Sequence, residues 1–353
     1  MARLSTFYRA GTWIEGRAED QLNDVAGWPG MFAVAGFPDL HPGRHGPVGA
    51  AFLADRLWPQ LVGPDIGCGM ALFHLSLSRR KLSLDKAARR FRALDAPWVA
   101  RAPVPGGLSA LGLGTIGGGN HFCEVQEVTE STDVLAKGAL TLLVHSGSRT
   151  HGHGVFASLE GRWAEGFDPA SEEGRAYLAC HDACVAWARL NRACLADRAA
   201  HALRAEATLI CDAPHNLVVA RPDGWLHLKG AALPDRALAP LAGSREAPSY
   251  LLRATDAVPD ALGALSHGAG RRYDRASMHG RVRKGRSDLA ALARTRFGGR
   301  VICEDRALMV EEAGAAYKDV SHVRDDLVAA GLATSLATLA PLLTFKVTRE
   351  GAR

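Results

Sequence analysis

The chain has 353 residues, 47% hydrophobic and 22% charged, with 42 basic against 37 acidic side chains and a formal net charge of +5. That length is ample for a large buried core, and the composition is that of ordinary globular proteins, which excludes disordered and fibrous classes. No run approaches the roughly 18 uncharged apolar residues of a membrane span, and Met1-Ala2-Arg3-Leu4 leads into no signal-peptide core, so no membrane association and a cytoplasmic location are expected.

In chain order, the first 75 residues read as short apolar runs broken by Gly and Pro, as in Gly36-Phe37-Pro38-Asp39-Leu40-His41-Pro42-Gly43, and predict strands and loops. Residues 81–94 carry helical spacing (Leu84, Ala87, Ala88, Phe91, Leu94) and predict an amphipathic helix. Residues 102–119 are too rich in Gly and Pro to stay regular. Leu140-Thr141-Leu142-Leu143-Val144 suits a buried strand ending at His145-Ser146-Gly147-Ser148-Arg149. The longest helical signal runs from about 173 to 205. Leu209-Ile210-Cys211 predicts another strand, closing on Asp212-Ala213-Pro214-His215-Asn216. The last third mixes short strands with helices near 288–295, 323–330 and 335–339 before the apolar Leu342-Leu343-Thr344-Phe345. Strands and helices alternate without the period of a doubly wound sheet, and no repeat or linker marks a boundary. The expectation is one irregular α+β domain over 1–353.

Only seven of the 42 basic residues are lysines and 35 are arginines. The planar guanidinium fork suits phosphate and carboxylate, although GC-rich coding accounts for such an excess as well. The seven cysteines form no CxxC pair and no framework, which points to free thiols in a reducing compartment. Cys180 and Cys184 stand four apart on a helical face and read, like four others, as packing thiols. Cys68 differs, because it lies in a Gly-rich turn beside an aspartate.

The apolar runs share a habit: they end in Gly- or Pro-containing loops that carry His, Cys, Asp or Asn. These loops are Asp65-Ile66-Gly67-Cys68-Gly69, Gly117-Gly118-Gly119-Asn120-His121-Phe122-Cys123-Glu124, His145–Arg149, His215-Asn216 and Ser266-His267-Gly268-Ala269-Gly270-Arg271. Any one such histidine is ordinarily structural, but five such loops in one chain point to a shared site. One Asp, one Cys and three His make a mixed O, S and N donor set; a thiolate can bridge two ions, and two divalent ions suit phosphoryl chemistry. The spacing fits no zinc finger. Gly112-Leu113-Gly114-Thr115-Ile116-Gly117 satisfies the dinucleotide fingerprint but has no strand before it and more glycines after it, so it is rejected as one.

Taken together, these motifs resemble the RtcB family of RNA ligases along most of the chain. The match runs through Pro38–Gly43, Asp65–Met70, the glycine triplet with Asn120 and His121, His145–Arg149, His215-Asn216, Lys229-Gly230-Ala231, His267–Arg271, Tyr317-Lys318-Asp319-Val320 and Lys346. The resemblance implies an α+β fold with mixed sheets around a central metal cleft. It also implies a GTP- and Mn2+-dependent enzyme that joins RNA ends bearing a 2′,3′-cyclic phosphate or 3′-phosphate to 5′-hydroxyl ends through a histidine–GMP intermediate. By the same carry-over His267 is the guanylylated residue, and Asp65, Cys68, His121, His145 and His215 hold two Mn2+ ions, with Cys68 as the bridge. Asn120, Glu124, Asn216, Ser244, Ser249, Gly268, Ala269, Gly270 and Lys346 line the nucleotide site, and Arg149, Lys229, Arg271 and Arg275 take RNA phosphates.

Two departures stand out. The family's Gly-Ser-Met-Gly is Gly243-Ser244-Arg245-Glu246 here, and the family's Ser before Arg275 is Asp274. The short length resembles the bacterial branch encoded beside a release-factor-like protein, which implies RNA repair rather than intron removal. A monomer is expected, with an archease-like activator as a possible partner. The competing readings are a phosphoesterase or nucleotidyltransferase that kept the metals without ligation, and a silent RNA-binding protein.

Overall fold

The computed structural model describes residues 2–96, 98, 103–132, 134–282 and 285–347. The strand Ala333–Val347 is the spine of an eight-stranded sheet, pairing with Ser249–Ala254 on one side and Phe122–Ser131 on the other, with the short Arg300–Cys303 alongside. From Phe122–Ser131 the sheet continues through Leu140–Ser146 and Gly69–Leu75 to Ala207–Pro214, all antiparallel. Leu140–Ser146 is buried from end to end, which is why it reads in sequence as an unbroken apolar run. At the far end, Arg236 donates to the Ile210 carbonyl (3.1 Å) and Asp235 accepts from the Asp212 amide (3.1 Å). The hairpin that carries Leu238–Leu241 thus meets Ala207–Pro214, and the sheet comes close to a closed barrel.

A second sheet has the order Arg3–Thr6, Met31–His41, Val48–Ala54, Gly224–Lys229, Asn216–Arg221. Phe37, Leu228, Leu241, Leu252 and Leu327 lie in one core cluster, so the two sheets share buried apolar surface. The helix Glu172–Leu203 begins where the Ser171 hydroxyl accepts from the Gly174 amide, with Glu172 and Glu173 at its positive end. Leu195, Ala196 and Ala199 seat it against Phe73, Leu142 and Phe345. The fold is mixed helix and sheet, as expected.

Four local expectations are corrected. Residues 335–339 form strand, not helix, because they lie inside Ala333–Val347 between two partners whose ladders outweigh any local preference. A helix, Gly16–Ala26, occupies the region read as strands and loops; its buried stripe is only Ala18, Leu22, Val25 and Ala26 in a largely polar run. The amphipathic segment near 81–94 is α-helical only over Leu84–Phe91, with a 3-10 turn at either side. Cys180 is exposed whereas Cys184 is buried, so the pair does not share one packed face. Among the described residues no helix is long and apolar enough to cross a membrane. Residues 112–117 are turns and irregular backbone, with no strand before or helix after them.

Candidate active site

The strand order places the histidine loops side by side. Phe122–Ser131, Leu140–Ser146, Gly69–Leu75 and Ala207–Pro214 are consecutive antiparallel neighbours, so the start of one lies beside the end of the next. His121 precedes the first, His145 is near the end of the second, Cys68 precedes the third and His215 follows the fourth. Register completes the arrangement: His145 pairs with both Met70 and Phe122, and the His215 amide donates to the Cys68 carbonyl at 2.8 Å. Side chains separated by as many as 147 residues in sequence therefore share one sheet edge.

At that edge the Cys68 sulfur lies 3.4 Å from His121 Nε2 and 3.2 Å from His145 Nε2. Asp65 Oδ2 is 2.8 Å from His121 Nε2. His121 Nδ1 sits 3.2 Å from the Ile116 carbonyl, which orients the ring so that Nε2 faces Cys68 and Asp65. The His145 and His215 rings follow at 5.1 Å, and buried His215 Nδ1 has no partner among the described residues. Burial, then neighbouring positive charge, pushes His145 and His215 well below the usual histidine range, which keeps them neutral. Burial works against the Asp65 carboxylate, but His121 and the Arg149 amide hold it low. Burial, with Asp65 beside it, pushes the Cys68 thiol well above its ordinary value. Neutral imidazoles, a carboxylate, a thiol awaiting a cation and an orphaned ring nitrogen together fit a divalent-metal centre.

Two glycines make the turns possible. Gly67 has φ +75°, and a Cβ there would come within 2.8 Å of Val185 Cα on the long helix. A Cβ on Gly147 would lie 2.1 Å from Asp65 Oδ1, so only glycine admits the carboxylate. Beneath the edge, buried Arg192 donates through Nη1 to the Gly67 and Ser146 carbonyls, both at 2.8 Å, and forms a bidentate pair with Asp212. Replacing Arg192 by Leu leaves those acceptors and a largely buried carboxylate unpaired. It is expected to lower unfolding stability by about 3–5 kcal/mol, read from the urea midpoint; an unchanged midpoint would show that the pairing contributes nothing.

A two-residue strand, Leu265–Ser266, paired with Ala231–Ala232, leads into the fourth ring. The His267 ring is tilted 45° against that of His215, 4.5 Å between ring centres, and lines a cavity with Asp65, Cys68, His145 and His215. Asp39 Oδ2 accepts from the His267 amide (3.2 Å) and lies 2.8 Å from its Nδ1. Asp39 is fully buried, so its carboxylate fixes the tautomer that leaves the His267 Nε2 lone pair free.

Beyond His267 the cavity is lined by Asn120, Glu124, Asn216, Ser244, Ser249, Gly268, Ala269, Gly270, Arg271, Arg275 and Lys346. The Asn216 amide is held between the Asp65 carbonyl (3.4 Å) and the Gly230 amide (2.9 Å). Burial pushes Glu124 up to about 7, against its bonds from Thr344 and Gln126. Ser249 Oγ accepts from Gln126 (3.1 Å) and the Gly243 amide (3.1 Å), which leaves its proton for a ligand. His121 stands behind Cys68 rather than on the wall. Arg149 and Lys229 also stand off it. The Arg149 guanidinium donates to Thr115, and the Lys229 ammonium to the Gln60 carbonyl at 2.9 Å.

Sequence reasoning singled out neither Asp39 nor Glu312. Glu312 lies among Lys346 (3.6 Å), Arg271 (3.1 Å), Arg275 (3.5 Å) and the Tyr317 hydroxyl. Against burial, Lys346 first and then the arginines pull it down to about 2. Both departures find local partners. Asp274 caps the helix Arg275–Arg281 by accepting from the Ser277 amide at 2.9 Å, a role serine fills equally. Arg245 is buried, with Nη2 on the Met309 carbonyl at 2.7 Å.

The family model described as "RtcB: tRNA-splicing ligase RtcB" matches residues 21–105 and 107–347. RNA-splicing ligase RtcB2 of Escherichia coli is 40% identical over 357 residues, spanning 95% of this chain and 93% of the relative. RNA-splicing ligase RtcB of Mycobacterium tuberculosis is 31% identical, spanning 65% of this chain and 63% of the relative. With tRNA-splicing ligase RtcB of Methanocaldococcus jannaschii the identity is 29%, over 66% of this chain but 29% of the relative.

Proposed function

The chain belongs to the RtcB family of splicing ligases, and from that premise we propose that it is a GTP- and Mn2+-dependent RNA ligase acting in RNA repair. It joins 2′,3′-cyclic phosphate or 3′-phosphate ends to 5′-hydroxyl ends, with residues 1–353 as one catalytic unit. The observation that carries the reading is His267. Its Nδ1 is committed to buried Asp39, its Nε2 lone pair is free, and its ring packs against His215 beside the donor cluster.

The chemistry follows from that placement. His267 Nε2 attacks the α-phosphorus of GTP; the N–P bond forms as the bond to pyrophosphate breaks. A 2′,3′-cyclic end is first opened by water, which breaks the bond to O2′ and leaves a 3′-phosphate; the RNA 3′-phosphate then displaces His267 and takes the GMP. Finally the 5′-hydroxyl oxygen attacks that phosphate and GMP leaves. Asp65, Cys68, His121, His145 and His215 would hold two Mn2+ ions, which supply charge neutralisation for the phosphoryl oxygens. Glu124, Ser249, Ser244 and Lys346 would recognise guanosine, with Asn120 and Asn216 positioning the phosphates. Residues 268–270 let the backbone pass close to the nucleotide, and Arg271 and Arg275 meet RNA phosphate across the Glu312 carboxylate. Arg149 would act through Asp65, to whose carboxylate its amide donates at 3.2 Å.

The test is incubation of the purified chain with radiolabelled GTP and MnCl2, followed by denaturing electrophoresis. A covalent, acid-labile guanylate that is discharged by RNA with a 3′-phosphate and a 5′-hydroxyl partner is the expected result. Metal binding without any label would overturn the ligase reading, and phosphate release from RNA in its place would favour a phosphoesterase.

A further inference from the structure

Trp13 is 47% exposed, a large apolar surface for one side chain to leave in water. The segment around it is not loose. Thr12 and Arg9 both bond to the buried carboxylate of Asp326, and Ile14 packs against the core cluster that contains Leu22 and Phe52. The chain therefore holds the indole outward on a rigid support. Trp13 also lies before the residues that the family model matches.

Around the indole, cations and rings alternate. Lys318 Nζ lies 5.5 Å from the Trp13 ring centre and Arg272 5.9 Å from it. The Arg272 guanidinium is also 5.4 Å from the Tyr273 ring, whose centre is 3.8 Å from that of Arg281. The series Lys318, Trp13, Arg272, Tyr273, Arg281 forms one strip. Among the described residues neither Arg272 nor Arg281 is paired with a carboxylate, and the one acidic residue between them in sequence, Asp274, is committed to its helix cap.

The strip leads into the cavity. Lys318 Nζ donates to the Pro38 (3.1 Å) and Leu40 (2.6 Å) carbonyls on either side of Asp39, the residue that holds His267. At the neighbouring position Arg271 lines the cavity itself. Pure cation–π stabilisation of a surface would give no reason for the strip to end at that wall.

We propose that this strip is a track for single-stranded RNA, on which Trp13 stacks an unpaired base while Arg272 and Arg281 meet the backbone phosphates of the strand entering the cavity. Bases and phosphates alternate along such a strand as rings and cations alternate here, and stacking on an aromatic face tolerates any base. The proposal rests on reading the cavity as an RNA-end site.

The experiment is fluorescence anisotropy of the full chain with a labelled single-stranded RNA carrying a 5′-hydroxyl, over a range of salt, with thermal melting as the check on folding. Trp13→Ala is expected to weaken binding about tenfold, and Trp13→Phe to retain most of it. Arg272→Ala and Arg281→Ala should each lower the slope of log affinity against log salt by about 0.7. An RNA with abasic positions should bind wild type no better than intact RNA binds Trp13→Ala. Equal binding by wild type and a folded Trp13→Ala, or no binding by wild type, overturns the track. Labelling by GTP is measured in parallel on wild type. Label with RNA affinity indifferent to Trp13 sinks the track alone, whereas affinity that depends on Trp13 without label sinks the ligase reading and leaves the track standing.

Discussion

His267→Ala is expected to carry no covalent guanylate under any metal or GTP concentration, while remaining folded by circular dichroism. Loss of the ring removes its contact with His215 and leaves the buried Asp39 carboxylate with the residue-267 amide as its donor, which lowers the melting temperature without unfolding the chain. Asp39→Asn is the graded companion. The asparagine amide can donate where the carboxylate only accepts, which favours the tautomer with the proton on Nε2 and removes the nucleophilic lone pair. An orienting Asp→Asn change of this kind costs about 10²–10⁴-fold in rate. The labelling rate should fall by that order while the end point stays the same, because the nucleophile is still present. Label in His267→Ala would assign the nucleophile elsewhere, and a wild-type rate in Asp39→Asn would show that the buried carboxylate does not set the tautomer.

How much of this could be read in the sequence depends on the scale of the signal. Asp65, Cys68, Asn120, His121, His145, His215 and His267 each sit in a short Gly-rich loop at the end of an apolar run, so both the donor and its special backbone are local features. That they converge is a property of strand order, which no local pattern encodes, and only their number and type hinted at it. Asp39 escaped notice as an orienting group because its partner lies 228 residues away. Glu312 sits in a helix–loop junction with nothing in its neighbours to show that Lys346, Arg271 and Arg275 would surround it. Arg192 is one of several arginines on a 32-residue helix, and only the fold shows that it faces the carbonyls of Gly67 and Ser146.

Secondary structure divides along the same line. The long helix and the strand that begins at Leu140 carry strong periodic or apolar signals and stand within a few residues of their expected limits. Residues 335–339 hold a mixture of small and apolar side chains that fits either element, and two flanking strands decide the matter. The Arg245 and Asp274 departures were legible as departures, but what they do was not. One puts a guanidinium on Met309 where the family has a methionine, and the other exchanges one helix cap for another.

Cys68→Ala is expected to lose most bound metal and, with it, labelling by more than about 100-fold, since even groups one step removed from a metal cost 10–100-fold. The sulfur is buried between the Nε2 atoms of His121 and His145 and is the one soft donor in the cluster. Alanine leaves two imidazoles that face each other across a gap with no anion between them, and Asp65 alone then carries negative charge toward the ions. Because burial holds the thiol protonated until a cation arrives, binding must release its proton. Metal uptake by wild type should therefore liberate about one more proton per chain than uptake by Cys68→Ala, measured as acidification of weakly buffered protein. Folding should change little, because truncating a side chain the size of cysteine removes only one heavy atom from the core, at a cost of about 1 kcal/mol. Full metal content and full labelling in a folded Cys68→Ala would remove the thiolate from the centre; normal metal content with lost labelling would keep it as a group that orients the ions without retaining them.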